Sequence, residues 1–184
     1  MTFPVIETER LILRPWAETD AADLFAFAKD PRVGPVAGWP AHADVDESRR
    51  LIRTVLSGPE TYAVLLKSAG HAVGGIGLKI GAKSDMAAGE SEAELGYWIG
   101  VPYWGQGLIP EAVRALLRRA FEQLGLETLW CGYYSGNRKS RRVQEKCGFV
   151  YHHTTENLYL PLMDETRTGH VSCLTRRMWQ GQQP

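Results

Sequence analysis

The sequence lacks the features that mark several large classes of protein. Its 21 lysines and arginines are balanced by 21 aspartates and glutamates, which disfavours a protein whose main task is to neutralise the phosphates of DNA or RNA. No run approaches the roughly 18 apolar residues of a membrane span, and residues 1–10 do not show the pattern of a signal peptide. We therefore expect no nucleic acid and no membrane among the partners, and a cytoplasmic location.

Cysteine is scarce, and a nucleotide-binding P-loop is absent. Cys131, Cys147 and Cys173 are odd in number and widely spaced, so they fit neither a disulfide framework nor a zinc site. Each lies in an apolar stretch, which favours a reduced, buried thiol, and no metal site is expected. The motif G-x-x-x-x-G-K-[ST] does not occur, which disfavours a P-loop enzyme. The length of 184 residues is typical of a single domain, predicted here for residues 1–184.

Hydrophobic periodicity divides the chain into strands and helices in mixed order. Strands are predicted at residues 9–16, 62–67, 72–80, 93–100, 126–134, 149–160 and 171–179. Helices are predicted from Asp20, as its cap, through Ala28, and at 47–56, 108–124 and 138–146. Gly125 stands where the third helix needs a C-terminal cap. The order predicts an α+β fold in which helices cover a mixed sheet.

The segment that joins the fourth predicted strand to the long helix carries the first chemical signal. It reads Val-Pro-Tyr-Trp-Gly-Gln-Gly-Leu over residues 101–108. Gly105 and Gly107 allow the backbone to approach a ligand closely, and the free N–H groups and dipole of a helix N-terminus attract an anion. This arrangement suits a pyrophosphate, although a plain helix cap would also explain the two glycines.

Three segments, in the right order, resemble the N-acetyltransferases of the GNAT superfamily. They are Thr8–Trp16 (TERLILRPW), followed by Asp20; residues 93–107 (AELGYWIGVPYWGQG); and residues 137–149 (NRKSRRVQEKCGF). The resemblance is strongest to the branch that includes the ribosomal-protein N-acetyltransferases. One position departs from the superfamily pattern, because Pro102 occupies a slot that often holds Gln or Arg. The family's cofactor contacts there are mostly main-chain, so acetyl-CoA binding is still expected.

The resemblance implies a fold, a cofactor and a set of binding residues. The fold is the GNAT fold, a mixed, mostly antiparallel sheet of about seven strands with about four helices. The fourth and fifth predicted strands (93–100 and 126–134) splay apart to admit the pantetheine arm of acetyl-CoA. No metal is implied. The implied cofactor-binding residues are Ile99 and Val101 for pantetheine, Gly105, Gln106, Gly107 and Leu108 for the pyrophosphate, Asn137 near the pantetheine, and Ser140 at the sulfur.

Acetyl transfer to an amine needs a neutral nucleophile, a stabilised oxyanion and a protonated leaving thiolate. Glu94 occupies a place where many GNAT enzymes carry their base, although an exposed carboxylate or a partner for a nearby arginine is the simpler interpretation. The slot of the family's usual tyrosine acid holds Gln144, and an amide is a far poorer acid than a phenol. We therefore predict that Ser140, which the ribosomal-protein branch also carries, hydrogen-bonds the CoA sulfur. A capping role would explain Ser140 equally.

Several side chains have two interpretations that the sequence leaves open. Asn137 is either a cofactor ligand or an ordinary N-cap. The basic residues of the helix at 138–146 form either a solvated face or a site for the 3′-phosphate of CoA. His152 and His153 should point to opposite faces of a strand, so that one of them could face the acceptor.

The identity of the acceptor is also open. The resemblance favours the α-amine at the N-terminus of a protein or peptide, with direct transfer in a ternary complex. The alternatives are a small amine, such as an antibiotic, a polyamine or an amino acid, and a module that binds CoA without chemistry. The protein is expected to be a monomer or a homodimer.

Overall fold

The computed structural model describes residues 4–183 and contains, within them, eight strands and six α-helices. The strands are β1 (Ile6–Glu7), β2 (Leu11–Pro15), β3 (Thr61–Leu66), β4 (His71–Ile80), β5 (Glu92–Ile99), β6 (Thr128–Tyr134), β7 (Val150–Leu160) and β8 (Glu165–Thr175). The helices are α1 (Ala21–Ala28), α2 (Gly34–Ala37), α3 (Val45–Leu51), α4 (Leu108–Arg118), α5 (Arg138–Lys146) and α6 (Arg176–Gln180). One π-helical turn extends α3 to Leu56, and another extends α4 to Gln123.

The strands form one mixed sheet in the order β1-β2-β3-β4-β5-β6-β8-β7. The pair β5–β6 is parallel, whereas β1–β2, β2–β3, β3–β4, β6–β8 and β7–β8 are antiparallel. The predicted α+β class and mostly antiparallel sheet are confirmed. The strand count is eight because the two-residue β1 is too short to produce a periodic pattern. Helices α2 and α6, of four and five residues, were missed for the same reason.

The predicted splay lies between β5 and β6. The parallel ladder joins three residue pairs, from Glu92–Thr128 to Glu94–Trp130. Both strands continue beyond it, β5 to Ile99 and β6 to Tyr134. The pairing of the two strands therefore ends at Glu94, which agrees with the predicted splay.

By its internal contacts the chain forms two compact units, and the first comprises residues up to Gly77 together with Tyr97–Ala115. Its core contains Trp16, Leu24, Ala28, Ile52 and Ala63.

The buried Asp20 stands at the N-cap position of α1, but its side chain makes no capping hydrogen bond. The carboxylate instead accepts two hydrogen bonds from the Arg14 guanidinium, both at 2.7 Å, and one from the Ala17 N–H at 2.9 Å. The predicted capping role of Asp20 is wrong, because the arginine of the same N-terminal signature binds this carboxylate. The pair fixes β2 to the start of α1.

The second unit comprises Leu78–Gly96 and the chain from Leu116 onward. Strand β8 ends at Thr175, so the predicted strand at 171–179 is wrong in its second half. The hydroxyl of Thr175 accepts a hydrogen bond from the Met178 N–H at 3.2 Å, and this N-cap starts α6. Trp179 is thereby buried with its ring 5.3 Å from that of Phe121. A helix cap thus overrides the apolar pattern that suggested a strand.

Two of the three cysteines are buried, as expected. Cys131 and Cys147 are buried, whereas Cys173 is only partly buried. Burial raises the pKa of the Cys173 thiol above its ordinary value. A raised thiol pKa lowers the fraction of reactive thiolate, which agrees with an inert role.

The two adjacent histidines lie at a β-bulge in β7. Tyr151 pairs with Ser172 and His153 with Val171, so His152 is an extra residue without a cross-strand partner in the ladder. The two imidazole rings lie 5.1 Å apart, and their Nδ1 atoms are 2.8 Å apart. The prediction that they point to opposite faces is wrong, because the bulge breaks the alternation of the strand.

Candidate active site

The loop between β5 and α4 has the backbone of an anion-binding cradle. Gly105 and Gly107 have φ angles of +76° and +75°, a left-handed conformation that costs other residues roughly 1–2 kcal/mol. Such turns orient successive N–H groups toward one concavity. A Cβ added to Gly105 would meet no atom within 4 Å, so the space beside the loop is open. This backbone conformation, with open space beside Gly105, is typical of an anion-binding loop.

Helix α4 continues directly from the loop. Its first backbone hydrogen bond runs from the Glu111 N–H to the Gly107 carbonyl at 3.2 Å, so the preceding N–H groups have no acceptor within the helix. Leu108 and Ile109 are buried and anchor this first turn in the core. The side chain of Leu108 is therefore unavailable to a ligand, and its predicted contribution is the backbone N–H.

Side chains hold the loop from several directions. The Gln106 side-chain amide donates to the Pro102 carbonyl at 2.9 Å, and the Trp104 indole donates to the Ile99 carbonyl at 3.0 Å. The Arg10 guanidinium donates to the Gln106 carbonyl at 2.9 Å. The side chain and the carbonyl of Gln106 are thus both bound within the protein, so its predicted contribution to the cofactor site is the backbone N–H. Arg10 was not predicted as a site residue, although it belongs to the N-terminal signature.

Ile99 and Val101 stand at the end of the strand that was expected to bind pantetheine. The Gly100 N–H donates to the Val73 carbonyl of β4 at 2.8 Å, so the backbone groups of Ile99 point the opposite way. Val101 lies beyond β5, in a 3₁₀ turn where its carbonyl accepts from the Trp104 N–H at 3.1 Å. Because the Ile99 carbonyl already accepts from the Trp104 indole, the predicted pantetheine contact falls to the Ile99 N–H, whereas Val101 lies outside the strand.

Glu94 lies in the second unit, at the last pair of the β5–β6 ladder. Its carboxylate is 15% exposed and has two side-chain donors: Lys79 Nζ at 3.0 Å from Oε1, and the Ser84 hydroxyl at 3.1 Å from Oε2. The hydroxyl of Ser84 is fixed in turn by the N–H groups of Met86 and Ala87. The charged partner of Glu94 is thus a lysine rather than the arginine considered from sequence.

Asn137 and Ser140 are in direct contact at the start of α5. The side-chain carbonyl of Asn137 accepts a hydrogen bond from the Ser140 N–H at 3.1 Å, so the N-cap role of Asn137 is confirmed. Gln144 is 2% exposed, and its amide donates to the Gly132 carbonyl at 3.2 Å and to the Ser140 hydroxyl at 3.4 Å. The residue in the slot of the usual tyrosine therefore helps to orient the Ser140 hydroxyl.

The basic residues of α5 are partly neutralised on the helix itself. Arg141 and Arg142 bind Glu145 at 2.8 and 3.2 Å. Hydrogen bonds from these two arginines lower the pKa of the Glu145 carboxyl below its ordinary value. The two arginines behave as a solvated helix face, and the 3′-phosphate assignment of this cluster stays a prediction.

Residues 4–183 contain no group of three or more His, Cys, Asp or Glu side chains that could hold a metal ion. Among the helices described there, none is long and apolar enough to cross a membrane.

Comparison with known proteins agrees with this geometry. The sequence profile of the family "Acetyltransferase (GNAT) domain" matches residues 10–150. The chain is 30% identical over 147 residues to an uncharacterised N-acetyltransferase, p20, from Bacillus licheniformis, an alignment that covers 77% of this chain and 80% of that protein. It is 36% identical over 92 residues to YdaF, a candidate ribosomal N-acetyltransferase of Bacillus subtilis (strain 168), over 50% of this chain and 49% of that one.

A solved structure gives the same result for the fold. The structure of a candidate ribosomal-protein-serine acetyltransferase from Vibrio cholerae matches with a TM-score of 0.77 and 25% identity, over 95% of this chain and 99% of that one. The profile match covers most of the chain, and the relatives are N-acetyltransferases by name. The chain therefore belongs to the GNAT acetyltransferases, which take their acetyl group from acetyl-CoA.

Proposed function

We propose that this N-acetyltransferase acetylates the α-amine at the N-terminus of a protein or peptide. The observation that carries the proposal is the likeness to YdaF and to the Vibrio cholerae protein, both of which are named for ribosomal acetylation. The N-terminal signature from Thr8 to Trp16 supports it, because that segment resembles the ribosomal-protein branch. We further propose that residues 1–184 act as one catalytic domain.

The proposed cofactor contacts follow the backbone of the first unit. Acetyl-CoA supplies the activated acetyl group. The N–H groups of the loop and first helical turn hold its pyrophosphate, and the strand edge at Ile99, with Val101 beyond it, holds its pantetheine arm. The contributing loop residues are Gly105, Gln106, Gly107 and Leu108. In the second unit, the side-chain amide of Asn137 keeps its NH₂ donors for the cofactor, because its N-cap bond uses only the oxygen.

The chemical roles fall on two side chains of the second unit. An α-amine has a pKa of about 8, so much of the acceptor arrives protonated at neutral pH. Glu94 takes that proton through a water molecule, which leaves the amine free to attack. As the C–S bond breaks, the nitrogen loses its second proton, which passes through water to the leaving thiolate. The Ser140 hydroxyl, oriented by Gln144, donates a hydrogen bond to that thiolate. Its place in the first turn of α5 favours a nearby negative charge.

A screen of acceptors tests the proposal. CoA release is measured with peptides that have a free N-terminus, with the same peptides N-acetylated but carrying an internal lysine, and with polyamines, aminoglycosides and amino acids. We expect turnover with the free N-termini and little with the blocked peptides. Turnover with small amines alone would assign the enzyme to small-molecule acetylation. Acetyl-CoA binding without turnover of any amine would assign it to the non-catalytic class.

A further inference from the structure

Arg10, which is far away in sequence, forms a hydrogen bond with a carbonyl of the glycine loop. Arg10 lies in the turn between β1 and β2, and its Nη1 donates to the Gln106 carbonyl at 2.9 Å. Its Nε donates to Oε2 of Glu111, in the first turn of α4, at 2.7 Å. One guanidinium therefore joins the loop to the helix that follows it.

Glu111 is itself fixed by the same turn. Its Oε1 accepts from the Thr8 hydroxyl at 2.6 Å and from the Arg10 N–H at 2.9 Å. The side chain of Glu111 is 18% exposed and that of Arg10 43% exposed. Burial alone would raise the pKa of Glu111, but the hydrogen bonds from Thr8 and Arg10 outweigh it and lower that pKa below its ordinary value. The ion pair thus stays charged over the neutral range and holds the guanidinium in place.

The carbonyl of Gln106 and the N–H of Gly107 belong to one planar peptide and point in opposite directions. A hydrogen bond that fixes the carbonyl toward Arg10 therefore fixes the Gly107 N–H away from Arg10. Rotation of this peptide changes the ψ of Gln106 and the φ of Gly107, and Gly107 has a φ of +75°. Glycine adopts positive and negative φ about equally well, so the backbone alone selects the orientation of this peptide only weakly.

We propose that Arg10 is a positioning residue that locks the Gln106–Gly107 peptide with its N–H directed into the pyrophosphate cradle. The inference rests on the proposed function, since it assumes that acetyl-CoA occupies this cradle. Arg10 does not touch the cofactor; it acts through the loop. Without Arg10 the peptide rotates between orientations, and the cofactor must reorder it on binding.

The test compares Arg10→Met with Lys67→Met. Lys67 holds the same turn, with its Nζ 2.7 Å from the Thr8 carbonyl and 3.2 Å from the Glu7 carboxylate, and it makes no hydrogen bond or ion pair with the loop among the contacts described. Dissociation constants are measured by calorimetry for acetyl-CoA and for S-acetylpantetheine, which lacks the pyrophosphate. We expect Arg10→Met to weaken acetyl-CoA binding by roughly 10- to 100-fold, the effect of losing a charge-assisted hydrogen bond, with S-acetylpantetheine unaffected. Lys67→Met should bind both as the parent does.

The outcomes distinguish the role of Arg10 from the proposed function of the protein. Arg10→Met with parental affinity for acetyl-CoA overturns the role of Arg10 and leaves the proposed function intact. If Arg10→Met weakens the binding of both ligands equally, or if both variants weaken binding equally, Arg10 has only a general structural role. That result also overturns the proposed role of Arg10. A parent that does not bind acetyl-CoA overturns both proposals. If Arg10→Met does not fold, Arg10→Lys is measured instead, and it supports the inference only if acetyl-CoA binding alone weakens.

Discussion

The substitution Gly105→Ala tests the pyrophosphate cradle. Its effect on stability can be measured separately from its effect on acetyl-CoA binding. Gly105 has a φ of +76°, and an added Cβ would meet no atom within 4 Å. The only loss of stability expected in the variant is therefore the conformational cost of a left-handed alanine, roughly 1–2 kcal/mol. For a chain of this length each kcal/mol lowers Tm by about 2–4 °C. We expect a folded variant whose Tm is lower by roughly 2–8 °C.

The effect on binding is separate from this loss and appears only when acetyl-CoA is present. In the parent, acetyl-CoA at 100 times its dissociation constant stabilises the fold by about 2.7 kcal/mol. At about 2–4 °C for each kcal/mol, this stabilisation raises Tm by roughly 5–11 °C. In Gly105→Ala the methyl group occupies the open side of the cradle, where the pyrophosphate is proposed to lie. The rise in Tm with acetyl-CoA should therefore vanish or nearly so.

Gly70→Ala is the matched control. Gly70 has a φ of +70° in the turn between β3 and β4, and an added Cβ there also meets no atom within 4 Å. Its stability cost should equal that of Gly105→Ala, but its response to acetyl-CoA should be parental. Thermal unfolding of the three proteins, with and without acetyl-CoA, makes the comparison. An undiminished acetyl-CoA response in Gly105→Ala would refute the placement of the pyrophosphate.

Three further changes test other parts of the site and fold. Glu94→Gln should reduce turnover mainly at lower pH with little change in acetyl-CoA affinity; a parental pH–rate profile would remove Glu94 as the base. Ser140→Ala should lower kcat by roughly 10- to 1000-fold with a much smaller change in the KM for acetyl-CoA, and a parental kcat, measured where chemistry limits the rate, would contradict the assignment. Burial lowers the pKa of His42 below its ordinary value of about 6.5, so the unfolded chain protonates first as pH falls. The stability that His42 contributes is therefore present above about pH 6.5 and is lost below it. His42→Asn should therefore show a weaker fall in unfolding free energy between pH 7.5 and pH 5.5 in urea titrations; an unchanged fall would show that other groups cause it.

The elements that position the cofactor could be predicted because their signals are local. The stripe of the long helix, the glycines before it and the cap after it all lie within residues 105–125. Gly125 indeed has a φ of +72°. The helix at 138–146 has the predicted bounds because Asn137 caps it within one turn. In these segments, neighbouring residues alone determine the conformation.

The contacts that fix the site depend on distant residues and were not predictable from one sequence. Arg10 and Glu111 are 101 residues apart in sequence, and Lys79 and Glu94 are 15 apart. Nothing in the local pattern pairs them, because only the tertiary fold brings them together. The bulge at His152 was hidden for a related reason, since it depends on which residue of β8 lies opposite.

The ion pair of Glu94 bears directly on whether this residue can act as a base. An ionised carboxylate has about four acceptor positions, and the two side-chain donors, Lys79 and Ser84, occupy one on each oxygen. A position therefore remains on each oxygen for the water that would carry the proton, so pairing and catalysis are compatible. In Glu94→Gln the side-chain oxygen can still accept from one of these donors, which keeps the side chain near its place. The substitution then removes the proton acceptor with little change in the strand, which is why its effect should appear in the pH–rate profile and not in acetyl-CoA affinity.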